Sequence, residues 1–408
     1  MTLTSKIIFW VCVSAIAYNY VGYPVFLLFA SAFSQAYSDL IFLFRRKSRR
    51  ADASKFPQPR IAIIISAFNE ETVIEDRVKN ALSINYPEHL TEILIGLDAP
   101  TDSTAEILRP IDSPRVKVCH FNERRGKLKV ICDLALMTSA EILVFTDANT
   151  HFEPNCVQNL IRHFSDCRVG IVSGEELRSG GKEIDPAAEG LYWKYESALK
   201  ILESRLGFLH GANGGAYAIR RELFHPPPNL IVEDFQIPLA ARYQGHLVVY
   251  DAEAITVEEI APTLASQFER RVRIGAGNFQ TFLSNPGYLN PFKRGPVFAY
   301  YSHRVLRWIT PLMLGLALAS SAVLIHVTPY PWFFVLQSAF YLLALAGYWR
   351  KRRNEPVGIY RIPLYFCSMN CALVMGLFRY LSGRQGIAWK TTPRRFPERM
   401  ATAKDSKE

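Results

Sequence analysis

The chain has 408 residues, 49 % of them hydrophobic, and a formal net charge of +10. That length holds a globular domain of about 150 to 250 residues with chain left over for membrane segments, and the mean hydropathy of +0.05 averages a polar middle with apolar ends. The charge does not read as nucleic-acid binding, because Arg45-Arg46-Lys47-Ser48-Arg49-Arg50 and Arg350-Lys351-Arg352-Arg353 each follow directly on a hydrophobic run, where basic residues set membrane orientation. Seven cysteines, odd in number and without CxxC spacing, fit a reduced compartment and no structural zinc.

In chain order, Ile7 to Phe33 is uncharged and long enough to span a bilayer with some tilt. A cleavable signal would carry a shorter apolar region, and the basic cluster that follows reads as a cytoplasmic stop, so the amino terminus is expected outside. From about residue 58 to 285, apolar strand-like runs alternate with amphipathic helix-like runs, the βαβ pattern of a parallel sheet. Strands are expected at Ile61 to Ser66, Glu92 to Leu97, Val116 to Cys119, Ile142 to Asp147 and His246 to Tyr250. Helices are expected at Glu70 to Ile84, on the spacing of Val73, Ile74, Arg77 and Val78, and at Lys127 to Met137, Tyr192 to Leu206 and Asp234 to Gln244. Gly211 to Arg220 is glycine-rich and then strand-like. Beyond the domain, Ile309 to Val327 and Trp332 to Trp349 read as a membrane hairpin. Pro363 to Leu381 is expected to be re-entrant or interfacial, because as a full span it would leave Arg384, Lys390, Arg394, Arg395 and Arg399 outside. Three regions result: 1–50, 58–285 and 286–408.

The chemistry sits where strands end. Asp147 and Asn149 place two oxygen-bearing side chains two positions apart, able to share a divalent cation over a diphosphate, although Asn149 reads equally as a cap for the next helix. Asp98 ends the second strand, as a nucleobase acceptor or a turn aspartate. Arg124-Arg125-Gly126-Lys127 sets flexible backbone and cations before a helix, as phosphate contacts need or as a solvated loop allows. Glu233-Asp234 follows Pro226-Pro227-Pro228 and opens a helix, where an acid is a helix-dipole partner or a general base. Gln267, Arg270 and Arg271 lie on neighbouring faces of one helix, with a basic membrane-surface helix as the alternative.

The order Asp98, Asp147-Ala148-Asn149, Glu233-Asp234, Gln267-Phe268-Glu269-Arg270 resembles the D, DxD, (T)ED, QxxRW series of the membrane-bound family 2 glycosyltransferases, which include cellulose, hyaluronan and poly-N-acetylglucosamine synthases. The resemblance covers nearly the whole chain. It implies an α/β, GT-A-like nucleotide-sugar domain inserted between transmembrane helices, in the plasma (inner) membrane with the catalytic domain cytoplasmic. It implies a UDP-sugar donor, a saccharide or lipid-linked acceptor, contact with membrane lipids, and Mg2+ or Mn2+. Carried over by position, Asp98 looks like the uracil reader with Ala67, Asn69, Glu70 and Lys127 around the donor, and Asp147 with Asn149 like the metal motif. Asp234 looks like the general base, and Glu233, Gln267, Arg270 and Arg271 face diphosphate and acceptor. Gly211, Asn213 and Gly214 line the acceptor side, where glycines let a sugar approach the backbone; a plain turn is the alternative. Three positions depart from the pattern: Asn149 stands for an Asp, Arg271 for a Trp and Val232 for a Thr. Metal binding is therefore expected to survive but weaken, and the acceptor is left open. The alternatives are single-sugar transfer to a polyprenyl phosphate and a non-catalytic subunit that binds nucleotide or glycan.

Overall fold

The computed structural model describes residues 2–45, 58–179, 186–259, 264–285, 287, 295–353, 355–384 and 386. The first basic run beyond Arg45 and the tail cations from Lys390 onward lie outside these.

The central strand β1 (Ile61–Ala67) is buried at all seven positions, as a strand covered on both faces must be. Ile61, Ile63 and Ile65 enter one core, and Ala62 and Ile64 the core on the opposite face. Each fully buried isoleucine contributes about 2 to 3 kcal/mol. β1 pairs in parallel with β2 (Thr91–Asp98) on one side and β4 (Ile142–Asp147) on the other, and β2 pairs in parallel with β3 (Val116–Phe121). The chain thus turns outward through β2 and β3 and returns to the far side of β1, with Ser66 in register with Asp147. Such a switch point is where an open sheet binds nucleotides.

The second half departs from the parallel expectation. β7 (Tyr217–Arg220) is antiparallel to both β4 and β6 (Val169–Ser179), and β5 (Thr150–Phe152) is antiparallel to β8 (Leu247–Glu259). Only β6 and β8 run parallel there. The sheet order is β3-β2-β1-β4-β7-β6-β8-β5. β6 had no counterpart in the sequence reading, and β8 runs well beyond Tyr250.

The helices are α3 (Ile74–Leu82), α4 (Thr104–Leu108), α5 (Lys127–Leu136), α6 (Cys156–Arg162), α7 (Pro186–Arg205), α8 (Glu233–Tyr243) and α9 (Leu264–Ser284), following α1 and α2 at the amino terminus. α3 starts later than expected because the Glu70 carbonyl closes a turn, accepting from Val73 and Ile74 at 3.0 and 2.9 Å. Arg77, which shares the helical spacing of Val73, Ile74 and Val78, is fully buried; it donates to Asn80 at 2.8 Å and lies over the Phe152 ring.

Four helical stretches are long and apolar enough to cross a membrane: Thr2–Phe44, Pro296–Val323, Tyr330–Arg352 and Gly358–Leu381. The first comprises α1 (Thr2–Ala17), a π-helical turn (Tyr18–Gly22) and most of α2 (Tyr23–Arg45). At 43 residues it is roughly 65 Å long, about twice the hydrocarbon thickness. Phe9 and Cys12 pack on Ala317, Leu324 and Tyr330, whereas Tyr23 and Leu27 pack on Leu199 of α7. One helix therefore touches both the far hairpin and the α/β domain. α10 (Gly295–Ala299), a π-helical turn (Tyr300–Val305) and α11 (Leu306–Val323) form the second stretch, α12 (Tyr330–Arg352) the third, and α13 (Arg361–Leu381) most of the fourth. α13 is one continuous helix, which does not fit a re-entrant loop and is compatible with the interfacial reading as with a full span. It packs along α9, and a Cβ on Gly376 would stand 2.7 Å from backbone atoms of Val272 and Ala276.

Candidate active site

The carboxyl ends of β1, β2 and β4 converge as the sequence implied. Asn69, at φ 53°, binds the loop after β2: its Oδ1 accepts from the Thr101 N–H at 2.8 Å and its amide donates to the Thr101 hydroxyl at 3.0 Å. Glu70 is buried and its N–H donates to the Thr104 hydroxyl at 2.8 Å. Ala67 belongs to the core beneath, so its methyl group does not line a pocket. Asp98 is 1 % exposed and accepts the N–H groups of Arg125 and Gly126 at 2.5 and 2.9 Å. It pins the basic loop ahead of α5, where Gly126 takes a φ of 83° that other residues rarely adopt. The guanidinium carbon of Arg124 lies over Phe68, 3.5 Å from the ring centre.

Lys127, the first residue of α5, reaches across to Asp147 at 2.7 Å and also pairs with Glu233. Burial works against its charge, but the two carboxylates outweigh that and hold the ammonium above its ordinary range. Burial likewise works against Glu233, and Lys127 overrides it, keeping that carboxylate below its usual value. Asp234 has the opposite balance: burial first and then the neighbouring Glu233 push its carboxyl up to about 6, against the pull of Lys127 and Arg273. A half-buried carboxylate with a pKa near neutrality suits a general base.

The glycine segment is shaped by this acid and a second one. A Cβ on Gly214 would stand 2.9 Å from Oδ2 of Asp234, and one on Gly215 3.1 Å from Oε2 of Glu176. Gly211 faces Phe235 and Arg304. Asn213 braces the segment: its N–H donates to Ser173 at 2.9 Å, its amide to the Gly174 carbonyl at 2.6 Å, and its Oδ1 accepts from Lys200 at 2.5 Å. Its polar atoms are thus spoken for from three sides.

α9 closes the site. Gln267 is buried, and Arg270 forks onto Glu258 of β8 at 3.0 to 3.1 Å. Glu258 also accepts from the Asn149 amide at 3.2 Å, so the position where an Asp is usual is tied to the arginine through a third residue. Arg271 points elsewhere, its guanidinium 4.6 Å from the centre of the Tyr365 ring on α13. Glu176, Glu258 and Arg304 were not singled out from the sequence. The available signals were the acid pairs Glu175-Glu176 and Glu258-Glu259 beside short apolar stretches, and an arginine inside a membrane-length run.

Among the described residues no three His, Cys, Asp or Glu side chains gather into a metal cage. Asp147 and Asn149 supply one carboxylate and one amide oxygen, a set that suits a hard cation completed by diphosphate oxygens and water.

A sheet with a nucleotide switch point, carboxylates at its strand ends and an acid-bearing helix behind a glycine segment has the GT-A-like glycosyltransferase architecture. Residues 62–225, the strand-rich part that holds Asp98 and Asp147, match the family model described as glycosyl transferase family 2. The poly-beta-1,6-N-acetyl-D-glucosamine synthase of Staphylococcus aureus is 22 % identical over 308 residues, 71 % of this chain and 74 % of that protein. The beta-monoglucosyldiacylglycerol synthase of Nostoc sp. is 25 % identical over 240 residues, 55 % of this chain and 50 % of that one. Among solved structures, a mannosyltransferase from Pyrobaculum calidifontis in complex with GDP-Man and Mn2+ superposes with a TM-score of 0.68 at 19 % identity, covering 93 % of this chain and all of that one. That likeness shows the shared fold. Four of its helices are, in addition, long and apolar enough to cross a membrane.

Proposed function

We propose that the enzyme moves a hexosyl or N-acetylhexosaminyl group from a UDP-sugar to a saccharide or lipid-linked acceptor at the membrane, with inversion, in polysaccharide or glycolipid synthesis. The observation that carries this is Asp234, pushed up to about 6 and facing Gly214, with Lys127 and Asp147 near enough to act on its charge. Asp234 takes the proton of the acceptor hydroxyl, that oxygen attacks the anomeric carbon, and the bond to UDP breaks on the opposite face. Arg270 and Lys127 stabilise the charge that develops on the departing diphosphate. The Asp98 carboxylate, with about four lone-pair sites of which the loop uses two, keeps room to accept from the uracil ring. A divalent ion held by Asp147 and Asn149 would supply positive charge to the leaving group. Mn2+ in the mannosyltransferase complex supports that requirement, and its GDP-Man makes the donor base a point to test.

Residues 58–285 form the catalytic unit in this reading. It faces the cytoplasm of a plasma (inner) membrane, where UDP-sugars are made, with 1–50 and 286–408 as the membrane regions. The stacking of Arg271 on Tyr365, where a tryptophan is usual, favours single transfer to a lipid-borne acceptor as the second reading over processive extension. The test is release of nucleoside diphosphate by the detergent-solubilised chain from a panel of UDP- and GDP-sugars, followed by sizing of the product. Release from none of them would leave a binding subunit, and release only from GDP-sugars would reassign Asp98.

A further inference from the structure

Lys127 stands where three elements meet. It opens α5, its ammonium lies 2.7 Å from Oδ1 of Asp147 at the end of β4, and it also pairs with Glu233 at the start of α8. The Asp147 side chain is 29 % exposed, so the carboxylate that holds the ammonium is reachable from outside. The backbone under Lys127 is fixed, because Asp98 accepts from the N–H groups of the two residues before it, Arg125 and Gly126, at 2.5 and 2.9 Å. Any change of partner therefore falls to the flexible four-carbon stem of the lysine.

The same carboxylate is the charged half of the donor set for a hard cation. The other half, Asn149, is neutral, and its amide donates at 3.2 Å to Glu258, which the Arg270 fork already holds. An ion on Asp147 at the usual distance of about 2.1 Å comes within about 5 Å of an ammonium that sits 2.7 Å from the same carboxylate, and like charges at that range repel. One carboxylate thus serves the lysine or the ion well, but not both. The ammonium has three N–H donors, and Asp147 and Glu233 use two of them. With Glu233 kept as its anchor, it can turn the others to a diphosphate oxygen and leave Asp147 to the ion.

We propose that Lys127 competes with a divalent cation for Asp147 and yields that carboxylate only when a diphosphate takes its ammonium, so that the lysine makes ion and nucleotide bind as a pair. This rests on the glycosyltransferase reading and gives Lys127 a positioning role in loading the site, ahead of any part in bond cleavage. A clamp that merely held α5, β4 and α8 together would leave the affinity for the ion untouched.

The experiment counts free Mn2+ by electron paramagnetic resonance over the full chain in detergent, alone, with UDP and with uridine, after subtraction of the Mn2+–UDP complex measured in buffer. In the native chain UDP should tighten Mn2+ binding by at least about tenfold and uridine should not. Lys127→Gln should bind Mn2+ alone about tenfold more tightly than the native chain, with the gain from UDP reduced to match. Arg273→Gln is the control: Arg273 acts on the charges of Glu233 and Asp234 but bonds the Ile231 carbonyl at 3.2 Å, so its loss should leave the curve for Mn2+ alone near the native one. Lys127→Arg forks onto the carboxylate and should hold Mn2+ alone more weakly than the native chain does; it decides the matter if the glutamine variant does not stay folded. No tightening in Lys127→Gln, equal tightening in Arg273→Gln, or Mn2+ binding that survives Asp147→Ala would each overturn the proposal. Failure of every nucleotide sugar to turn over would sink the catalytic reading yet leave these binding curves standing.

Discussion

Asp234 is where burial, charge and chemistry meet on one side chain. Its carboxyl is raised to about 6 from an ordinary value of 3.8, so between those two pH values the folded chain binds more protons than the unfolded one. Its contribution to stability is therefore present below about pH 4 and lost as the pH rises through 6, while the base form needed for transfer appears over that same rise. Turnover should climb with pH through about 6. Asp234→Asn should abolish transfer, retain UDP binding, and be more stable than the native chain at pH 7 by on the order of 1 to 3 kcal/mol; denaturant melts at pH 4 and pH 7 would show the gain at the higher pH only. A variant that is less stable at pH 7 would mean that the carboxylate is held by its neighbours rather than strained. At Asp147, replacement by alanine should remove metal-dependent UDP binding, and full activity in a chelator would sink the assignment. Asn149→Asp would bring a second carboxylate against Glu258, which the amide now contacts at 3.2 Å. Without metal that pair should lower the thermal midpoint, and with Mn2+ it should bind the ion more tightly and regain the loss. A thermal-shift titration separates the two conditions.

α9 is held to the sheet by the Arg270–Glu258 fork and to α13 by the Arg379 fork onto Glu269 at 2.6 and 2.9 Å. Glu258→Gln should lower stability by about 2 kcal/mol, below the figure for a fully buried pair because the Arg270 side chain is 34 % exposed. It should also lower kcat more than it raises KM, since a released Arg270 no longer meets the departing diphosphate in one geometry; a change in KM alone would make the fork a donor-binding device. Gly376→Ala puts a methyl group 2.7 Å from the α9 backbone, and overpacking of this kind costs about 1 to 3 kcal/mol. The variant should melt earlier and lose activity although Gly376 touches no substrate. These elements were unevenly legible. Strands β1, β2 and β4 were read nearly to the residue because two-sided burial leaves an unbroken apolar run. β6 was missed because it carries Ser173, Gly174, Glu175 and Glu176 in place of such a run. Arg77 shares the helical spacing of Val73, Ile74 and Val78 and is fully buried with them, though nothing in its type announces burial.

Across the whole molecule, orientation is a matter of where the cations fall. Cysteine-accessibility labelling should find Leu3 reachable from outside, and Lys55 and Arg352 from inside, because the basic runs following the first and third membrane helices stay with the cytosol. Lys55 lies outside the described residues, so the labelling rests on charge distribution alone. Reaction at Lys55 from the external face would invert the chain and cut the domain off from cytosolic nucleotide sugar.

The sequence by itself determined the membrane-length runs, the α/β alternation, and the strand ends that deliver Asp98 and Asp147, because each follows from local periodicity and from polar residues that interrupt it. It also determined the order of motifs that marks the family. Tertiary structure decided the antiparallel second half of the sheet, the bridge of Lys127 between Asp147 and Glu233, the tie from Asn149 through Glu258 to Arg270, and the turning of Arg304 toward Phe235. All of these join residues far apart in the chain. Their geometry depends on how strands pair and helices cross, which no local pattern records.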